Sequence, residues 1–179
     1  MGNVIGASGQ SGLMLAHVDA PLRGKAWTVA CSPSGRFPSV VVAGVVLTSG
    51  RWYWEVDVLE PGIGQVGFAD VAFVGASDEG HGVGDDRHSW AWDGSRVLTW
   101  CAGPRPFGRR WNGGDTLSLA VDVDARIAFV GIAGDYAAPM GAFFANLCFD
   151  GGITPGISLQ RFNPTFSCRV NLGETRLRY

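Results

Sequence analysis

No stretch of this sequence stays apolar long enough to cross a membrane. The longest run, Val40–Leu47, has eight residues, whereas a helical span needs about 20. The chain does not open with the charged, apolar and small-residue pattern of a secretory signal, so none is expected. Charged residues make up only 17% and the net charge is −2. Binding a nucleic-acid backbone takes clustered Lys and Arg, so no nucleic-acid partner is expected. Of the four cysteines, Cys31, Cys101, Cys148 and Cys168, no two stand at C-x-x-C spacing. That argues against a zinc site, and no metal or cofactor is expected. The thiols read as reduced, buried residues of an intracellular, cytoplasmic protein, although Cys148 and Cys168 could fall on neighbouring strands. Catalytic pairings are equally thin. There is no G-x-S-x-G elbow, and His17, His81 and His88 are the only histidines. Without a nucleophile–base pair, the chain is not expected to be an enzyme.

What the sequence does hold is glycine, 27 of 179 residues, and a 46% hydrophobic content. The glycines show no period, so they read as turns between short strands and not as collagen. Period-2 alternation dominates. Leu117, Leu119, Val121 and Val123 alternate with Thr116, Ser118, Ala120, Asp122 and Asp124, one face for a core and one for solvent. Trp52, Trp54, Val56 and Val58 alternate with Tyr53, Glu55 and Asp57, and Phe166, Cys168, Val170 and Leu172 with Ser167, Arg169 and Asn171. Further strand-like runs cover 26–31, 37–47, 64–69, 89–92, 96–101, 126–132, 142–148 and 153–159. Turn clusters such as Ser32-Pro33-Ser34-Gly35, Asp93-Gly94 and Asn112-Gly113-Gly114-Asp115 separate them. Roughly ten short strands with regular turns predict one all-β domain, a sandwich or barrel.

Several patterns invite sharper readings. Gly62-Ile63-Gly64-Gln65-Val66-Gly67 fits G-x-G-x-x-G, with Asp85 and Asp86 about twenty residues on. A dinucleotide site needs a helix N-terminus there, and the alternation at Val66 and Phe68 predicts a hairpin into a strand instead. His81 and His88 flank Asp85 and Asp86, but carboxylates in a glycine-rich loop more often hold the turn by accepting backbone N–H bonds. Asp122 and Asp124 share one strand face and read as its polar side, not as a glycosidase pair. Trp111, beside Arg109 and Arg110 in a turn, is the tryptophan expected to be partly exposed. Between Glu55 and Asp86 stand eight acidic residues and no Lys or Arg, an acidic loop face suited to a basic partner.

In order, the strings GRWYWEV (50–56), QVGFAD (65–70), GVGDDRHSWAWDG (82–94), W-x-x-GD (111–115), LAVDVD (119–124), MGAFFANL (140–147), TPGISL (154–159) and RVNLG (169–173) resemble the SPRY domain family. The pattern looks closest to the SPRY domains of ryanodine receptors and Ran-binding-type scaffold proteins. The resemblance implies a bent antiparallel β-sandwich of two sheets, with concanavalin-like jelly-roll architecture. It divides the chain into an N-terminal extension with a first strand, 1–24, and the SPRY domain, 25–179. Trp52, Trp54, Asp85, Asp86, Ser89, Trp90 and Asp115 take the family's structural positions. The family's F-S-L-N-G turn is replaced by Phe129-Val130-Gly131-Ile132-Ala133-Gly134, followed by an insertion, Asp135 to Pro139.

The resemblance further implies protein recognition by loops at one end of the sandwich. The SOCS-box branch binds peptides with loops that correspond in order to Ser32–Arg36, Pro61–Gly62, Asp78–His81 and Gln160–Phe162. The residue types differ, so the surface carries over and its specificity does not. Arg36, Pro61, Glu79, His81, Arg161 and Phe162 are the candidate partner-binding residues. The expected function is a non-catalytic adaptor, or an accessory subunit of a larger protein assembly. A carbohydrate-binding lectin-like sandwich with an exposed aromatic is the alternative. Gly2 partly fits an N-myristoylation signal, with Gly6 where Ser or Thr is preferred. An acylated Gly2 would give weak membrane association.

Overall fold

The computed structural model describes residues 15–16, 22–23, 27–30, 36–42, 45–160, 165–173 and 176–179. Among the described residues, fourteen strands form two seven-stranded sheets whose pairings are all antiparallel. The first runs β1 (Leu15–Ala16), β4 (Ser39–Val42), β13 (Ile153–Leu159), β6 (Gly64–Asp70), β7 (Ser89–Asp93), β8 (Leu98–Trp100), β9 (Pro104–Pro106). The second runs β12 (Gly141–Ala145), β11 (Ile127–Ile132), β10 (Thr116–Asp122), β5 (Arg51–Pro61), β14 (Phe166–Asn171), β3 (Trp27–Ala30), β2 (Leu22–Arg23). The only helical element among the described residues is one 3-10 turn, Ser77–Glu79. The expected all-β sandwich is the observed one.

Alternation explains why these residues pair as they do. Leu119 of β10 stands opposite Trp54 of β5 and Val130 of β11, and all three are buried. Val56, Val58, Leu117, Val121, Phe166 and Cys168 complete this inner face, against Val66, Phe68, Trp90 and Trp92 of the other sheet. Trp54 meets Phe68 edge-on across the gap, with ring centroids 6.2 Å apart. Each fully buried Val or Phe here contributes roughly 1.5–3 kcal/mol of transfer free energy.

Four local expectations are corrected. Trp111 is 1% exposed, its ring 5.1 Å from Trp92 and 4.9 Å from Phe166. The turn folds inward because Gly94 has no Cβ to meet that indole. Residues 62–63 do not close a hairpin, since β5 and β6 lie in different sheets and Gly62-Ile63 is the corner between them. Among the described residues of the 37–47 run, β4 is the one strand, with Leu47 joined to Ile153 by an isolated bridge. The polar face of β5 and β10 is not wholly solvent-exposed: Glu55, Thr116 and Ser118 are buried. The C-terminal residues cover it. The backbone N–H groups of Arg178 and Tyr179 donate to Glu55 Oε1, at 2.8 and 3.1 Å, and the Tyr53 hydroxyl donates to it at 2.9 Å. The Arg178 guanidinium makes a forked pair with Asp57, 2.9 and 3.0 Å.

Candidate functional site

The segment after β6 crosses the outer surface of the first sheet. Trp90 and Trp92 point into the core, so Ala91, and Trp100 paired with it, face outward. Gly156 and Ala91 leave a shallow seat there. Val83, fully buried, fills it beside Gly156, and Gly84 lies against Trp100 and Ala91. Side-chain acceptors fix the segment. Ser158 Oγ accepts from the Val83 N–H at 2.7 Å, and Asp85 Oδ2 from the Gly82 N–H at 2.7 Å. Asp86 Oδ1 accepts from the His88 N–H and the Ser89 hydroxyl, while Ser89 Oγ accepts from the Gly84 N–H. Asp85, Asp86 and Ser89 therefore hold this turn through side-chain hydrogen bonds. His88 Nδ1 is 2.9 Å from Asp70 Oδ2, and among the described residues no group of three or more His, Cys, Asp or Glu could hold a metal ion. Asp115 holds its own turn, accepting from the Asn112 N–H at 2.8 Å.

This clamp forms one wall of a cavity of about 570 Å³, lined by Arg36, Phe37, Ile63, Gln65, Gly80, Asp85, Arg96 and Gln160. Five separate stretches of chain converge there: the approach to β4, the corner between sheets, the loop before β7, the turn after it, and the end of β13. Of the candidate residues, Arg36 lines the cavity. Pro61 is exposed two residues before Ile63. Glu79 and His81 are exposed on either side of Gly80, with Nδ1 of His81 3.8 Å from Glu79 Oε2. Arg161, Phe162 and Gly2 lie outside the described residues.

Sequence reasoning missed Arg96, Gln65 and Phe37. Arg96 is positioned by the fully buried Asp93, which accepts from its backbone N–H and its Nε, and its guanidinium lies 4.3 Å over the Trp100 ring. Burial raises the Asp93 pKa above the ordinary carboxylate value, partly offset by its bonds to Arg96. The signal was the Asp-Gly-Ser-Arg turn, in which an Asp caps the amide of a residue three further on. Two arginines at this cavity also change the expected electrostatics. Asp85, whose Oδ2 accepts from the Gly82 N–H, is the carboxylate that lines the cavity beside Arg36 and Arg96.

Trp52 and Trp100 are half-buried and Trp54, Trp90, Trp92 and Trp111 buried. Trp111, expected to be partly exposed, is thus enclosed. Cys101 and Cys148 are free thiols, Cys148 being exposed, and Cys168 lies in the core. Cys148 follows β12, an edge strand of the second sheet, and three strands separate β12 from β14, which carries Cys168, so these two do not share neighbouring strands. No helix of the described residues is long and apolar enough to cross a membrane.

Comparison with known proteins agrees with this fold. The fold matches the crystal structure of the SPRY domain of human HERC1 with a TM-score of 0.70, covering 88% of this chain and 95% of that one at 14% identity. In sequence, 140 residues, 76% of the chain, are 30% identical to the E3 ubiquitin-protein ligase RKP of Arabidopsis thaliana. The aligned region spans about a tenth of that relative's length. SPRY domains are in general protein-interaction modules and are non-catalytic by themselves. The family model for the SPRY domain matches residues 51–175, from β5 into the C-terminal segment, and the chain belongs to the SPRY domain family.

Proposed function

We propose that the chain is a non-catalytic protein-recognition module, acting as an adaptor or accessory subunit of a larger assembly, and that it docks its partner on the loop cavity. The observation that carries this reading is the convergence of five chain segments on one cavity bounded by Arg36 and Arg96. Its walls are held by the hydrogen-bonded clamp and by Asp93, so little ordering remains to oppose binding. Arg36, Pro61, Glu79 and His81 supply the rim, and Arg161 and Phe162 follow Gln160 in sequence. Arginine and aromatic residues dominate interface energetics. The similarity to a ubiquitin ligase supports a role in bringing a bound protein to such an assembly inside the cell. If Gly2 is acylated, membrane affinity would be marginal.

Affinity purification from native extract with mass spectrometry tests the reading. The wild-type chain should retain a partner that the Arg161→Ala/Phe162→Ala and Arg36→Ala variants lose. A cost of about 2 kcal/mol, near 30-fold in Kd, is expected for the double variant, with an unchanged melt. Full partner recovery by normally folded variants would place the binding surface elsewhere.

A further inference from the structure

A second cleft, of about 290 Å³, opens between the edges of the two sheets, and two free thiols line it. Cys101 follows β8 of the first sheet and Cys148 follows β12 of the second. Trp90, Phe144, Arg87 and Arg105 form the rest of the wall used here. Both cysteines are held in place. The Cys101 N–H donates to the Gly103 carbonyl at 3.2 Å. Cys148 sits between buried Leu147 and Phe149, whose carbonyls accept from Arg126 Nη1 at 3.0 and 3.2 Å. The Phe149 ring, next to Cys148 in sequence, is 6.3 Å from Trp90, which lines the cleft together with both thiols.

We propose that Cys101 and Cys148 are a thiol–disulfide modification site, joined by a disulfide-class oxidant such as glutathione disulfide into a staple between the sheet edges. Cys148, the exposed thiol, attacks one sulfur of the oxidant as its thiolate. A mixed disulfide forms on Cys148 and one glutathione leaves. Cys101, deprotonated in turn, attacks the Cys148 sulfur and expels the second glutathione. The two protein thiols lose two electrons and two protons, and glutathione disulfide becomes two glutathione thiols. Arg87 and Arg105 place positive charge where the glutathione carboxylates arrive. Burial, and then the carboxylate of Asp86, push the Cys101 thiol pKa up, against the pull of Arg105. The resolving step is therefore the slow one and quickens with rising pH, because only the thiolate attacks.

Incubating the reduced, full chain with glutathione disulfide, followed by peptide mapping without reduction, tests this. The expected product is a peptide pair linked through Cys101 and Cys148, with buried Cys168 unmodified. Conversion of the mixed disulfide to the link should accelerate roughly tenfold per pH unit below the Cys101 pKa. Cys101→Ser should stop at glutathione on Cys148. Cys148→Ser, at an exposed position that folding does not depend on, should form no link. Glutathione remaining on Cys148 of the wild-type chain at pH 8.5, with Cys101 still open to alkylation, would overturn the proposal.

Discussion

Replacing Gly82 by Ala disturbs the clamp at the point where the fold meets the cavity. Gly82 does not occupy the left-handed region, so the backbone itself tolerates alanine. The difficulty is space. An added Cβ would lie 2.5 Å from Ser158 Cβ and 2.7 Å from Phe37 Cδ1, and closer still to Ser158 Oγ. That hydroxyl is the acceptor for the buried Val83 N–H and the partner of Ser39 at 2.9 Å. Two costs follow. Squeezing a methyl group into a filled site costs about 1–3 kcal/mol, and losing the acceptor of a buried amide costs about 1–3 kcal/mol. Reduced unfolded-state entropy returns about 0.4–1 kcal/mol. With partial relaxation of the segment, Gly82→Ala should destabilise by about 2–4 kcal/mol. Urea denaturation followed by tryptophan fluorescence measures it. The Gly82→Ala/Ser158→Gly double variant should lose less than the sum of its singles, since the two groups share one space. A Gly82→Ala chain within about 0.5 kcal/mol of wild type would refute the idea that residues 82–86 are clamped.

Further outcomes follow from the core and the surface. Trp54→Ala and Trp111→Ala should each cost about 3–5 kcal/mol in the same assay; a negligible loss for Trp111→Ala would mean that its turn does not fold inward. Asp122 accepts from the Ala125 N–H at 2.8 Å and from Arg51 Nε at 2.8 Å, in that order the causes that hold its carboxyl below the ordinary value. Its contribution to stability is present above the unfolded pKa of about 3.9 and fades as pH falls through the lowered folded value. In NMR titration Arg51→Ala should bring the carboxyl back only part of the way, because the amide bond remains; a complete return would assign the whole effect to Arg51.

The sandwich was legible because β5, β10 and β14 alternate cleanly, and a one-residue slip would have turned Trp54 and Leu119 to solvent. The turn-holding roles of Asp85 and Asp86 were legible for a local reason, an acceptor a few residues from the amides it satisfies. What escaped depended on distant chain. Glu55 looks like a solvent residue until Arg178 and Tyr179 cross over it, and nothing near position 55 announces them. Trp111 sits beside two arginines, yet the space beneath it is made by Gly94. β9 was hidden by Pro104 and Pro106, which lack N–H donors and are tolerated because it is the edge strand, bonded only to β8. At the cavity, Arg36 came from loop order, whereas Arg96 is placed by Asp93 from inside a turn.

The central claim, partner recognition at the loop cavity, is tested most directly by hydrogen–deuterium exchange of the chain alone and with the partner captured from native extract. Binding at the cavity predicts slowed exchange in the segments around 36–39, 62–65, 79–86, 94–97 and 160–162 together, and no change along β11 and β12. Protection confined to β11 and β12, with the five cavity segments exchanging as in the free chain, would contradict it.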